Sequence, residues 1–331
     1  MAEPLRAAVV GLGIGKTHAA KYLELDDVEL VGLCDTDGDA LKEACDRTGV
    51  EQGFTDPEAL FDQAKPDVVN LCTPPRSHLS ITEAAARRGI HLLVEKPMAW
   101  SPEDADGMIR ACEAHGVVLM VGHKKVFAPP LVRLKELLDG DLGPARLAVH
   151  RYPHPGLSNK AWFWSEEDGR GPIFENAVHA AYTLRFLLGE PERVSAEGGT
   201  LISHQYAPQI DGAVATIRFR SGAVASLAAG MVGVRGLRSE DYYVSTEKGV
   251  AEASGPFDNL DTLRYALRDD PENVVEETYP DSDPFMEEIR HFLDCVRSGG
   301  TPAVTGEDGR KAIELCLAVK EAVTRGAPVE M

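Results

Sequence analysis

Through about 120 residues, short apolar runs alternate with segments whose apolar positions recur every three to four residues. Leu5–Val10, Val28–Leu33, Asp67–Cys72, His91–Val94 and Val117–Val121 read as strands. Thr17–Leu25, Ala40–Thr48, His78–Arg88 and Pro102–His115 carry helical spacing, and Gly49, Gly89 and Gly116 close the last three. A strand covered on both faces has no polar side to alternate with. Continuous apolar strands between helices therefore predict a parallel sheet with helices on both faces.

After Gly122 the pattern changes. A helix over Pro130–Leu138 leads into runs in which apolar and polar positions alternate. These are Ala145–Arg151, Val194–Leu201, Gly212–Phe219, Ala223–Ala229, Asp241–Thr246 and Gly249–Ala253, with Ser221-Gly222 and Lys248-Gly249 as hairpin turns. An apolar helix over Val178–Leu188 lies among them, and the tail returns to helix at Pro284–Val296 and Glu307–Arg325. The expected fold class is α/β. A first domain with the parallel sheet spans residues 1–122, and a second domain with an open, mainly antiparallel sheet spans 123–331. The C-terminal helices of the second are able to pack back on the first.

Composition narrows the function classes. The chain has 331 residues, 44% apolar and 26% charged, which is ordinary globular usage. With 34 basic and 53 acidic side chains its formal charge is −19, a body that repels phosphate backbones and anionic lipid. No nucleic acid and no membrane surface is expected as partner. No apolar run approaches the ~18 residues of a membrane span, and Met1–Arg6 lacks the apolar stretch of a leader. Six cysteines form no Cys-x-x-Cys pair and no zinc-ligand spacing, so they read as reduced and buried, with no metal. These features point to a cytoplasmic protein.

The candidate chemistry starts at Gly11-Leu12-Gly13-Ile14-Gly15, between the first strand and the first helix. Glycines let the backbone approach a pyrophosphate, and the helix start offers its N–H groups to it. Asp35 ends the second strand, 22 residues after Gly13. A carboxylate there accepts ribose hydroxyls and repels a 2′-phosphate, and no arginine follows among Thr36, Asp37 and Gly38, so NAD is expected over NADP. Glu95-Lys96-Pro97 and Thr73-Pro74-Pro75-Arg76-Ser77-His78 each follow a strand, at the edge where open α/β sheets bind ligands. Lys96 is suited to donating to a reacting oxygen. Glu175 and His179, four residues apart, share a face if helical; they read as a general-base pair, a satisfied core histidine or half of a metal site. Trp162-Phe163-Trp164 forms an aromatic cluster that suits either a sugar ring or a core.

Together these residues resemble the glucose–fructose oxidoreductase, inositol dehydrogenase and rhizopine-catabolism family, Gfo/Idh/MocA. The marks are the glycine turn with His18 downstream, Thr73-Pro74 with His78, Glu95-Lys96-Pro97, Lys125-Val126-Phe127-Ala128-Pro129, the Gly171–His179 stretch, and Thr305-Gly306-Glu307-Asp308-Gly309. The resemblance implies a Rossmann first domain and a second domain whose open sheet forms a subunit interface, hence a homodimer or homotetramer. It implies NAD(P)-dependent oxidation or reduction of a sugar, cyclitol or related polyol. The family's cofactor positions fall on Gly11, Gly13, Ile14, Gly15, Asp35, Thr73, Pro74, His78, Glu95 and Lys96. Its catalytic lysine falls on Lys96, and its Asp-x-x-x-His pair on Glu175 and His179. Lys125, which stands where arginine is usual, Trp164 and Asn176 are placed on the substrate side. An enzyme that retains NAD through a redox-assisted elimination or glycoside cleavage, and a non-catalytic NAD- or sugar-sensing regulator, are the alternative readings.

Overall fold

The computed structural model describes residues 3–156, 158–234 and 236–331. Met1 and Ala2, where the stretch read for a leader begins, lie outside them. The chain forms two compact units, Met1–His123 with Phe285–Arg310, and Lys124–Pro284 with Lys311–Met331. Each is described by itself.

The first unit holds β1 (Leu5–Val10), β2 (Val28–Cys34), β3 (Gly53–Phe54), β4 (Val68–Leu71), β5 (His91–Glu95) and β6 (Leu119–Gly122), all parallel, in the order β3-β2-β1-β4-β5-β6. The intervening helices are α1 (Gly15–Tyr22), α2 (Gly38–Thr48), α3 (Pro57–Ala64), α4 (His78–Ala86) and α5 (Pro102–His115). Strand order reverses between β1 and β4, and such a reversal opens a crevice at the carboxyl ends of the two strands. Ala7, Ala8, Val9, Val68, Val69 and Leu92 are fully buried, so the apolar runs do what a doubly covered sheet requires. Side-chain caps mark the starts of α2 and α5. Asp37 accepts from the N–H groups of Asp39 and Ala40 at 3.0 and 3.1 Å, and Ser101 Oγ accepts from Asp104 N–H at 3.1 Å. The sequence reading passed over α3, although Asp56 caps it and Pro57 opens it.

The second unit begins with α6 (Pro129–Asp139) and β7 (Ala145–Pro155), then α7 (Ala161–Trp164), α8 (Pro172–Glu175) and α9 (Val178–Leu188). There follow β8 (Pro191–Gly199), β9 (Gly212–Phe219), β10 (Val224–Gly233), β11 (Arg238–Thr246), β12 (Gly249–Pro256), β13 (Thr262–Leu267) and β14 (Asp270–Thr278). Helix α10 (Pro284–Ser298) belongs almost wholly to the first unit, α11 (Gly306–Arg325) starts there and ends in the second, and β15 (Val329–Glu330) closes the chain. The sheet has nine strands in the order β14-β13-β12-β11-β7-β10-β9-β8-β15, antiparallel except for the β7/β10 pair. Along β9, Ala213, Ala215, Ile217 and Phe219 are buried while Val214, Thr216 and Arg218 are exposed. That is the alternation a one-sided sheet needs. Strands β13 and β14 were not read from the sequence, because β14 is exposed or half-exposed at every position and carries no apolar period. Among the described residues no helix is long and apolar enough to cross a membrane. All six cysteines are free, five of them buried and Cys45 half-buried.

Candidate functional site

In the first unit, the turn after β1 and the end of β2 are tied together. Gly11 N–H donates to Cys34 O at 2.8 Å. The Asp35 carboxylate accepts from Leu12 N–H at 2.6 Å and from Asp37 N–H at 2.9 Å. Gly11 has φ +91°, and a Cβ there would lie 2.6 Å from the Cys72 carbonyl carbon and oxygen, so no other residue fits. A Cβ on Gly15 would meet Val9 Cγ1 at 2.8 Å; adding one misplaces the start of α1. Unlike α2 and α5, α1 has no side-chain cap on its first turn, because Ile14 occupies the cap position. Thr17 N–H turns back to Ile14 O at 2.9 Å, so the N–H groups before it in the turn are the ones available to an anion, and this turn fits the pyrophosphate of a dinucleotide. The Asp35 carboxylate retains lone pairs for ribose hydroxyls.

The neighbouring strand ends carry the other predicted cofactor residues. Ser77 Oγ donates to Thr73 Oγ1 at 2.8 Å in the turn after β4. His78 is 1% exposed, and its ring nitrogens lie 2.9 Å from Met98 O and 2.7 Å from Thr73 O. It therefore braces the Thr73-Pro74 turn against the segment after β5, rather than presenting an atom to a ligand as a cofactor residue would. Burial depresses its basicity. Glu95, at the end of β5, is buried and accepts from Lys96 N–H at 3.1 Å. Lys96 is half-buried at the same sheet edge.

In the second unit, Glu175 ends α8 and His179 lies in the first turn of α9, with Asn176 and Ala177 between the two helices. The four-residue spacing is thus not one continuous helix. Glu175 and His179 are both buried, at 6% and 7% exposure. Asn176 Nδ2 is buried with no hydrogen-bond partner among the described residues. A buried amide donor left without an acceptor costs about 1–3 kcal/mol, so it is suited to a ligand oxygen.

Two substrate-side assignments are corrected by the fold. Trp164 is 7% exposed, stacks on Tyr206 with ring centroids 4.1 Å apart, packs edge-on to Phe163, and donates its Nε1–H to Ser158 O at 2.8 Å. Its face and its donor are both used, which makes it core rather than a sugar platform. Lys125 is 4% exposed, with Nζ 2.7 Å from Glu240 Oε2 and 3.1 Å from Asp258 Oδ1. Lys124 reaches the other oxygen of Asp258 at 2.8 Å. Burial pushes the Glu240 carboxyl upward against the pull of Lys125. Asp258 is held well below the usual range by Lys125 and Lys124, which outweigh its own burial. Lys125 is thus buried as the counter-ion of Glu240 and of the more exposed Asp258, which commits two of its three N–H donors to carboxylates of the protein itself. The sequence reading missed Glu240 and Asp258 entirely.

Beside this cluster, His150 is fully buried and stacks on Tyr242 at 3.7 Å, with Nδ1 donating to Asp241 O at 2.6 Å. Burial first, and Lys125 second, push its pKa down to about 3. The unfolded ring titrates near ~6.5, so below that the unfolded chain binds a proton that the fold refuses. His150's contribution is complete above that value and is lost as pH falls. The slope is about 1.4 kcal/mol per pH unit. Urea unfolding of His150→Phe between pH 7 and pH 5 should show a shallower slope by about one proton. An unchanged slope would remove this residue as the acid-sensitive group.

Comparisons with known proteins identify the family. Residues 5–123 match the Gfo/Idh/MocA oxidoreductase family model, described as an NAD-binding Rossmann fold, and residues 131–252 match the family's C-terminal domain. A myo-inositol 2-dehydrogenase from Thermotoga maritima is 29% identical over 99% of this chain and 98% of its own. A D-glucoside 3-dehydrogenase from Escherichia coli is 33% identical over 57% of this chain and 55% of its own. The crystal structure of an aldose–aldose oxidoreductase from Caulobacter crescentus, complexed with glycerol, has a TM-score of 0.86 at 26% identity, covering 99% of this chain and 100% of that one. With the family's NAD-binding domain model matched in one half and its C-terminal domain in the other, the chain belongs to the Gfo/Idh/MocA family and is an NAD-binding oxidoreductase.

Proposed function

We propose that the protein transfers hydride between NAD and a CH–OH group of a sugar, cyclitol or related polyol, with Lys96, Glu175 and His179 serving the chemical step. The observation that carries this reading is the position of Lys96. It stands on the same carboxyl edge of the sheet as the uncapped α1 start and Asp35. NAD, when bound, accepts the hydride. In oxidation His179 takes the hydroxyl proton, Lys96 holds the oxygen and its developing negative charge, and Glu175 orients the pair. Asn176 supports a polyol, since its buried Nδ2–H suits a hydroxyl oxygen. The relatives named above act on a cyclitol and on a glucoside.

The test is NADH formation from a panel of cyclitols, aldoses and sugar acids, run in parallel with NADP. At least one polyol should be turned over, with NAD bound more tightly than NADP, because a 2′-phosphate meets the Asp35 charge. Asp35→Ser should narrow that gap. Equal binding of the two cofactors by the wild type would overturn the cofactor assignment. No turnover of any polyol, with NAD still bound, would favour a sensor.

The same reading includes a cytoplasmic homo-oligomer, a homodimer or homotetramer, assembled through the open sheet. Leu147, Val149, Val214 and Tyr243 are exposed on it, and Val149 is directly opposite Tyr243 in register. Contiguous apolar residues on a sheet face favour covering by a partner surface. Light scattering at micromolar concentration should report more than one chain, and Val149→Arg should shift the species toward monomer. A monomeric wild type would defeat this assignment.

A further inference from the structure

Asn70 is a polar residue at the centre of β4, fully buried between Val69 and Leu71. An amide in that position is costly unless every group finds a partner. Its Oδ1 accepts from Tyr22 O–H at 2.6 Å, and its Nδ2–H donates to His18 Nδ1 at 2.7 Å. An amide nitrogen can only donate, so His18 Nδ1 carries no proton and Nε2 does. Nε2 lies 2.9 Å from Glu95 Oε1 and donates to it. The other Glu95 oxygen accepts from Lys96 N–H at 3.1 Å. The Phe285 ring stands edge-on to His18 at 5.4 Å and closes the side of the chain. Every donor along Tyr22, Asn70 and His18 points the same way, toward one carboxylate.

We infer that Tyr22, Asn70 and His18 are positioning residues. They fix the Glu95 carboxylate in one pose and, through it, the backbone of Lys96. This rests on the reading of Lys96 as the residue that holds the reacting oxygen. The physical reason is reach. Lysine has a flexible four-carbon stem, so the backbone is the part of it that the fold can hold with precision. A misplacement of about 1 Å can cost 10²-fold in rate. The three positioning residues act on Lys96 through Glu95.

The test compares Asn70→Leu, Asn70→Asp and Tyr22→Phe with the wild type by amide hydrogen exchange, and then by hydride transfer from myo-inositol at saturating NAD. In Asn70→Leu the His18 tautomer is no longer dictated. Lys96 N–H should exchange about three- to tenfold faster, the factor expected when a hydrogen bond of ordinary strength is weakened. Other amides of β4 and β5 should be unchanged. Asn70→Asp keeps the shape and still takes the Tyr22 hydroxyl. Its carboxylate only accepts, so it draws the His18 proton to Nδ1 and away from the Nε2 that donates to Glu95. Lys96 protection in Asn70→Asp should therefore fall toward that of Asn70→Leu. Tyr22→Phe, which removes one hydroxyl, gives the same reading with a smaller effect if Asn70→Leu does not fold. kcat should fall with Lys96 protection, while the NAD dissociation constant stays within twofold. Unchanged Lys96 exchange in both Asn70→Leu and Tyr22→Phe overturns the inference, and so does an equal acceleration of all β4 and β5 amides. Lys96→Met is run beside them. If it keeps the wild-type rate, the reading of Lys96 itself fails, and the exchange data still decide whether these residues position it.

Discussion

Lys96→Met and His179→Ala are each expected to slow hydride transfer by about 10²–10⁴-fold, the usual worth of a positioned acid or base. NAD affinity should barely move, because neither change touches the glycine turn or Asp35. If the two side chains serve one proton-transfer step, their losses overlap, and the double variant should be far less impaired than the product of the singles. Glu175→Asp is the informative third variant. Glu175 is buried at the end of α8, so shortening it by a methylene withdraws the carboxylate without filling the space. It should lower turnover of the best polyol and change the ranking of the panel. Single-turnover NADH formation reads all of these. A Lys96→Met enzyme near wild-type rate, with Glu175→Asp indistinguishable from the parent, would dismiss the proposed catalytic set.

Lys125→Met is expected to cost about 3–5 kcal/mol of folding stability, the typical penalty for removing one partner of a buried ion pair. The side chain lies 2.7 Å from Glu240, a residue 1% exposed, and the variant leaves that carboxylate buried beside Asp258 with no ammonium on it. Cation–ring contacts at 5.1 Å to Tyr152 and 5.7 Å to Phe257 are lost as well. Lys125→Arg keeps the charge but must fit a larger planar head, so it should recover only part of the loss. The measurement is the urea midpoint, with KM for the best polyol taken below the unfolding range. A stable Lys125→Met protein with a much raised KM would return Lys125 to the substrate side, where the sequence reading had put it.

Much of the fold was legible because its signals are local. Continuous apolar runs mark doubly covered strands, and alternation marks the one-sided sheet; both follow from which faces the backbone presents, without reference to partners. The cofactor half was legible for a related reason. Gly11 has to be glycine because of its own φ and its close approach to Cys72. Asp35 announces itself by ending a strand. Polar β14 went unread for want of an apolar period, and α3 went unread although Asp56 and Pro57 mark its start.

The substrate half depended on tertiary structure, and so did the chain behind Lys96. Lys125 and Glu240 are 115 positions apart, and His18 and Glu95 are 77 apart. A charged or polar side chain reads the same in a sequence whether it meets water, a ligand or a buried partner. Lys125 and Trp164 were placed beside a substrate on residue type alone, and packing gave both to the interior. Asn70 was the one clue of this kind within reach, since an amide inside an apolar parallel strand must have partners. The sequence determined that such partners exist. Only the folded chain, by bringing α1, β4 and β5 together, decided that they are Tyr22 and His18 and that the path ends at Glu95, because burial and contact are set by what the rest of the chain places alongside.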